Sequence, residues 1–122
     1  MKVSDVIAAK GSSEVFTMSS GSTLAELVKE ACSRNIGAML IHSDNGRLEG
    51  IVSERDVMKE CNKGTNLSDV TVGDVMTREL ASVSPEDDVN RAMDLMITRK
   101  IRHLPVLEGD DTKGLITVRD VI

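Results

Sequence analysis

A hydroxyl residue and an aspartate stand three positions apart at two places in the chain, Ser53 with Asp56 and Thr117 with Asp120. Each pair follows a glycine and two aliphatic residues, in "GIVSERDVM" and "GLITVRDVI", a pattern that predicts a strand running into a helix. An aspartate in the first turn of a helix can accept two hydrogen bonds from a vicinal diol, and the hydroxyl can contribute a third. The exposed N–H groups of a helix start favour anions, and the glycine lets another group approach the backbone. These are the groups that a ribose carrying a phosphate requires.

The same four-residue pattern is also typical of a simple helix cap. A Ser or Thr at the N-cap with an acid three residues later is a capping box, and the acid suits the helix dipole. Because a duplicated segment copies caps as faithfully as binding sites, the repetition alone does not decide between the two interpretations. Arg55 and Arg119, inside the two patterns, are either solvated first-turn side chains or contacts to a phosphate or a subunit. Both interpretations stay open.

The segments around the two pairs also repeat. Residues 15–36 and 80–101 carry apolar residues at matching positions, spaced as on one face of an amphipathic helix. Each helix is followed by an apolar run, "AMLIH" or "HLPVL", and then by a turn, and Asn45-Gly46 predicts a hairpin. The stretches Ser19–Ser22 and Ser84–Pro85 predict the helix starts. We therefore predict an α/β fold of two repeats, 1–62 and 70–122, each a β-α-β-β-α unit, with the last helix of the second cut short at Ile122.

Composition narrows the classes of function. A net charge of -5 argues against nucleic acid, and no apolar run is long enough to cross a membrane. The start of the chain lacks a signal-peptide core, and the two cysteines form no CxxC spacing, which together indicate the reducing cytoplasm. Cys32 is expected to be buried on its helix face. Phe16 is the one aromatic residue, so a bound base would have to lie among aliphatic side chains.

No residue set indicates catalysis or a resident metal. Ser53 and Thr117 have an aspartate nearby but no histidine-type base between them. His42 has no second nitrogen ligand near it in sequence, and Met93 and Met96 on a helix face are typical of core filler. His103 follows Arg102 just before a strand, where the pair is either solvated or in contact with a phosphate.

At this point the chain resembles a known family, the cystathionine β-synthase (CBS) domain. The resemblance rests on the apolar strand, the Gly-x-x-Ser/Thr-x-x-Asp pattern, and a "DVM" or "DVMT" lead-in, where "VGDVM" (72–76) resembles "VSDVI" (3–7). Its most specific portion is "HLPVL" followed by "GLITVRDVI", and it covers essentially the whole chain. It implies a tandem pair, or Bateman module, whose repeats are related by a pseudo-twofold axis with their sheets packed together. It further implies a regulatory sensor of an adenosyl ligand (AMP, ADP, ATP, S-adenosylmethionine or similar) that needs no cofactor and associates as a homodimer through its helices. The rival hypothesis is a dimerisation or interaction module without a ligand.

The resemblance also implies two ligand clefts, each combining an aspartate from one repeat with segments of the other. Asp56 and Asp120 would hold ribose hydroxyls, assisted by Ser53 and Thr117. The first cleft is predicted to contain Ser53, Arg55, Asp56, Thr77, Ile101, Arg102 and His103, and the second Ala8, Ile36, Gly37, Ala38, Thr117, Arg119 and Asp120. Because Arg102 and His103 can bind phosphate, we expect the first cleft to prefer phosphorylated adenosine and the second to be weaker.

Overall fold

The structure, a computed structural model, describes residues 1–10 and 15–122. The first repeat contributes α1 (Val3–Ala9), β1 (Thr17–Ser19), α2 (Leu24–Arg34), β2 (Ala38–His42), β3 (Leu48–Ser53) and α3 (Glu54–Asn62). The second contributes α4 (Val72–Val75), α5 (Val89–Arg99), β4 (His103–Glu108), β5 (Asp111–Thr117) and α6 (Val118–Val121). Across these two ranges no helix is long and apolar enough to cross a membrane. The predicted α/β class and the repetition of elements are confirmed.

The predicted hairpins are present in both repeats. β2 pairs with β3 and β4 pairs with β5, both antiparallel, and β1 adds to β2 in parallel. The Asn45-Gly46 turn closes the first hairpin with Gly46 at a φ of 82°, and the Gly46 N–H donates to the Ser43 carbonyl at 2.9 Å. Only glycine adopts this φ without steric cost, so the turn and the hairpin register follow from this pair.

The first strand predicted for the second repeat is reduced to a single bridge, Val83 with Val106. In the first repeat the strand pairing continues until the Ser20 N–H donates to the His42 carbonyl at 3.0 Å. The position that matches Ser20 in the second repeat is Pro85. Proline has no N–H, so the ladder cannot continue past Ser84.

Both long helices begin later than the serine stretches predicted. Thr23 is the N-cap of α2 and its side chain accepts from the Glu26 N–H, while Asp88 is the N-cap of α5 and accepts from the Asn90 N–H. Ser84 instead begins a turn, in which its N–H donates a hydrogen bond to the Asp87 carboxylate at 2.8 Å. The prediction placed the caps wrongly because serine, threonine and aspartate side chains satisfy turns as readily as helix ends.

The apolar faces of α2 and α5 are only partly covered. Leu24 and Leu27 of α2, and Ala92 and Met96 of α5, are buried. Cys32, however, is exposed, and Ile97 at the matching position of α5 is 72% exposed. The prediction of a buried Cys32 is therefore wrong, because the apolar stripe is wider than the part of the helix that its unit covers.

The chain folds into two compact units that exchange their lead-in helices. The continuous unit is Phe16–Glu79, and the discontinuous unit consists of Met1–Val15 and Leu80–Ile122. Thus α1, which opens the first repeat, packs with the second repeat's hairpin, and α4 packs with the first repeat's hairpin. Each unit has its own cluster of buried side chains: Val3 and Val6 of α1 join the discontinuous unit's cluster, and Val72 of α4 joins the other.

A glycine in each hairpin makes room for the lead-in. A Cβ placed on Gly50 would lie 2.7 Å from the Thr77 carbonyl oxygen and 2.7 Å from Met76 Sδ. A Cβ on Gly114 would lie 2.8 Å from Ile7 Cδ1. The approach expected beside these glycines is thus made by the protein's own lead-in segments.

Replacing Gly50 by alanine should lower the free energy of unfolding by about 1–3 kcal/mol, because the new methyl group meets a backbone carbonyl that cannot rotate away. Chemical denaturation of Gly50→Ala and of Gly21→Ala would check this, since a Cβ on Gly21 has nothing within 4 Å. Equal stability of the two variants would contradict the argument.

Candidate functional site

The first hydroxyl–aspartate pair lies where β3 passes directly into α3. Ser53 is the N-cap residue, with extended backbone, and Asp56 is in the first turn. Oδ2 of Asp56 accepts the Ser53 N–H at 2.9 Å and the Ser53 hydroxyl at 3.2 Å. Both side chains are half-buried, and Arg55 between them is exposed.

The second pair lies at the equivalent place, the junction of β5 and α6. Oδ2 of Asp120 accepts the Thr117 N–H at 2.8 Å, and the Asp120 N–H donates to Thr117 Oγ1 at 3.3 Å. Arg119 is again exposed. Both pairs are therefore capping boxes, as one of the two interpretations predicted. The cap's hydrogen bonds to the carboxylates all reach Oδ2, and the other carboxylate oxygen takes part in none of them.

Each junction lies beside the segment that precedes the first strand of its own hairpin. Ala38 is paired with Ser53 in register, and His103 is paired with Thr117. The Glu54 N–H donates to the Gly37 carbonyl, and the Val118 N–H donates to the Arg102 carbonyl, both at 3.0 Å. The structure thus brings Ile36–Ala38 to Ser53 and Ile101–His103 to Thr117.

The predicted clefts group these segments differently. They place Ile101, Arg102 and His103 with Asp56, and Ile36, Gly37 and Ala38 with Asp120, which in each case combines residues of both units. That grouping stays a prediction. The neighbours within each unit could have been found from the sequence, because a hairpin that turns at Gly109 places His103 opposite Thr117.

The surroundings of the two aspartates differ in charge. The residues beside Ser53 are Gly37 and the buried Ala38, which carry no charge. The residues beside Thr117 are the exposed Arg102 and the half-buried His103. The groups best suited to a phosphate are therefore in the discontinuous unit, together with Asp120.

The lead-in segments come close to both junctions. In the continuous unit Thr77, which is exposed, exchanges two backbone hydrogen bonds with Ile51, at 2.9 and 3.1 Å. In the discontinuous unit the exposed Ala8 lies near the end of α1, and two residues later Lys10 donates from Nζ to Asp120 Oδ2 at 3.0 Å. Lys10 could not be predicted from the sequence, because nothing local to α1 indicates that its side chain meets a residue 110 positions away.

Asp120 is held in its charged form. Burial alone would raise the pKa of its carboxyl, but hydrogen bonds from Lys10 and from the Thr117 N–H outweigh that effect and leave the pKa below the ordinary value of 3.8. A carboxyl with a lowered pKa in the folded state stabilises the fold above the unfolded-state value. That contribution is lost as the pH falls through the folded-state value.

Asp120→Asn removes the charge while its amide oxygen can still accept from the Thr117 N–H. We expect wild type to be more stable than the variant at neutral pH, and the difference to shrink as the pH falls below about 3.8. Urea unfolding of both proteins from pH 7 to pH 3 would measure it. A difference that does not change with pH would contradict the ionic role of this carboxylate.

A groove of about 420 Å³ lies between α2 and α3 of the continuous unit. Its walls are mostly apolar and include Val28, Ala31 and Cys32 from α2 and Val57 and Met58 from α3. Among residues 1–10 and 15–122, no three His, Cys, Asp or Glu side chains cluster closely enough to hold a metal ion.

Comparison with known proteins places this geometry in a family. The chain is 34% identical over 128 residues to the CBS domain-containing protein CBSX3, mitochondrial, of Arabidopsis thaliana, covering 98% of this chain and 62% of that protein's length. It matches the crystal structure of the CBS-domain containing protein ATU1752 of Agrobacterium tumefaciens with a TM-score of 0.92 at 26% identity, over 98% of this chain and 90% of that one. It shares the fold of the CBS domain protein PAE2072 of Pyrobaculum aerophilum, which was crystallised with AMP, with a TM-score of 0.88 at 20% identity over 98% and 89% of the two chains. The CBS domain family matches residues 3–63 and 72–122. The chain therefore belongs to the CBS domain family and is a tandem pair of CBS domains.

Proposed function

We propose that this CBS pair is a regulatory module that binds a phosphorylated adenosyl ligand at the Thr117–Asp120 junction and catalyses no reaction. The observation that carries the proposal is the hairpin register, which puts His103 opposite Thr117, together with the hydrogen bond from Val118 to the Arg102 carbonyl. The backbone of Arg102 and His103 thus lies beside the strand–helix junction that carries the diol acceptor, Asp120. The AMP complex of PAE2072 supports the choice of ligand class.

Each part of such a ligand has a matching group. The ribose hydroxyls donate to the Asp120 carboxylate, which the lowered pKa keeps ionised. The phosphate takes hydrogen bonds from Arg102 and His103. The base lies against aliphatic side chains such as Ile101 and Val118, both partly buried at the junction, because this unit contains no aromatic residue.

Regulation fits these groups better than catalysis does. Asp120 is engaged by a backbone N–H and by an ammonium group, so it does not act as a base for Thr117. A ligand held by such groups changes the stability of the state that binds it, which is how a sensor acts on an attached or associated partner. The Asp56 junction, with Gly37 and Ala38 beside it, is a weaker phosphate site by the same argument.

Calorimetric titration with AMP and ATP would test the proposal. Asp120→Ala should abolish the tighter binding, and Arg102→Ala should weaken it about 10-fold, since a hydrogen bond to a charged group contributes about 1.5–3 kcal/mol. Asp56→Ala is the matched control, because it removes the equivalent aspartate from the other unit.

Combining the changes decides which aspartate shares a ligand with Arg102. We expect Arg102→Ala to weaken binding as much in an Asp56→Ala background as in wild type. If Arg102→Ala loses its effect in the Asp56→Ala background instead, the pairing predicted from the sequence is correct and the present one is wrong. No binding of any adenosyl compound would favour a dimerisation module without a ligand.

The chain is further proposed to form a homodimer through the uncovered helix faces. Ile97 of α5 is 72% exposed and Met58 of α3 is 71% exposed, while Val28 and Ala31 are only half-buried. Burying these side chains against a second copy would remove apolar surface from water at about 25 cal/mol per Å².

Light scattering at micromolar concentration should give about twice the 13.2 kDa chain mass for wild type. Ile97→Glu should shift the protein towards the monomer, because it places a charge in the interface. Thr98→Glu adds the same charge one residue further along the same helix and should leave the mass unchanged. A monomeric wild type would refute the dimer.

A further inference from the structure

Lys10 links three parts of the discontinuous unit. Its Nζ donates to the Leu115 carbonyl at 2.9 Å and to Asp120 Oδ2 at 3.0 Å. The Lys10 side chain is 37% exposed and that of Asp120 is 17% exposed. The ammonium group is therefore fixed at the rim of the junction, within reach of solvent and of anything that binds Asp120.

The continuous unit has no such ammonium at the equivalent place. Aligning the lead-ins of the two repeats puts Lys10 against Glu79, and aligning the hairpins puts Leu115 against Ile51. The Ile51 carbonyl accepts the Thr77 backbone N–H at 2.9 Å, whereas the Leu115 carbonyl accepts the side chain of Lys10. One unit thus satisfies this carbonyl with a backbone N–H, and the other satisfies it with a positive charge that also reaches the aspartate.

We infer that Lys10 and Asp120 form a donor–acceptor pair that recognises the vicinal diol of the ligand's ribose, which makes Lys10 a specificity-determining residue of this site. The inference rests on the proposed function, since it concerns the same junction. One ribose hydroxyl donates to the Asp120 carboxylate while its neighbour accepts from Lys10 Nζ.

The hydrogen-bonding capacity of the two groups supports this arrangement. An ammonium group has three N–H donors, and the Leu115 carbonyl and Asp120 use two of them. The two bonds from Thr117 and Lys10 both end at Oδ2 of Asp120, so the other carboxylate oxygen is engaged by neither. Within residues 1–10 and 15–122 these bonds account for two of the three Lys10 donors and for one Asp120 oxygen. A vicinal diol, whose hydroxyls each donate and accept, matches the third donor and the second carboxylate oxygen.

The test compares adenosine, 2′-deoxyadenosine, 3′-deoxyadenosine and AMP on wild type and Lys10→Met by calorimetry. Methionine keeps an unbranched apolar stem and removes only the charge and the donors. Lys10→Met should weaken adenosine binding about 10-fold. Wild type should bind 2′-deoxyadenosine and 3′-deoxyadenosine more weakly than adenosine, and in Lys10→Met one of these two differences should disappear. The preference for AMP over adenosine should not change. Lys113→Met, which removes an exposed lysine from β5 of the same unit, should have no effect.

Three results for Lys10→Met would overturn the inference while leaving the proposed function standing. Tighter adenosine binding by Lys10→Met would mean that Lys10 competes with the ligand for Asp120. A loss confined to AMP would mean that Lys10 contacts the phosphate, and an equal loss for all four compounds would mean that it only supports the fold. If wild type binds none of them, or if Asp120→Ala binds adenosine normally, the proposed function or its site fails and this inference fails with it.

Discussion

The absence of two side chains, at Gly50 and Gly114, is the constraint on which the rest of the structure depends. Each glycine lets a lead-in segment lie directly on the strand that ends at a hydroxyl–aspartate pair, with atoms 2.7–2.8 Å from where a Cβ would stand. That approach decides which helix closes each unit. It also brings Thr77 to Ile51 in one unit and Lys10 to Asp120 in the other. The glycine three residues before each hydroxyl residue therefore determines which groups of the lead-in segment lie beside the junction.

The repeat and the fold class could be predicted because they follow from local patterns. The Asn45-Gly46 turn and the matched apolar positions of 24–32 and 89–97 depend only on near neighbours. The predicted helix starts were wrong where the same residue type occurs in two kinds of local structure. Ser84 resembles a helix cap but holds a turn, and Pro85 ends a strand that the apolar pattern of 80–83 predicts. The exposure of Cys32 depends on how much of a helix its unit covers, which periodicity does not report.

The hydroxyl–aspartate pairs were predicted as either caps or binding groups, and the structure shows that the cap is made without using the whole carboxylate. The neighbours of each pair were harder to predict. His103 opposite Thr117 follows from hairpin register, which the sequence does contain. Lys10 beside Asp120 does not, because a flexible side chain 110 residues away meets it only once α1 has packed on the second hairpin. Long-range contacts of this kind depend on the exchange of lead-ins, which no local pattern reveals.

That exchange also orders the events by which the chain folds. The continuous unit needs only Phe16–Glu79, so every contact in its core can form once that stretch has left the ribosome. The discontinuous unit must bring its first residues to its last: the Val3 N–H donates to the Asp87 carbonyl at 2.8 Å, across 84 positions. Closing so long a loop is entropically costly and slow compared with local pairing. A continuous unit that has already folded shortens the loop to be closed, because it brings together the two points at which the discontinuous unit's segments join it. An inserted domain has the same effect within a larger fold.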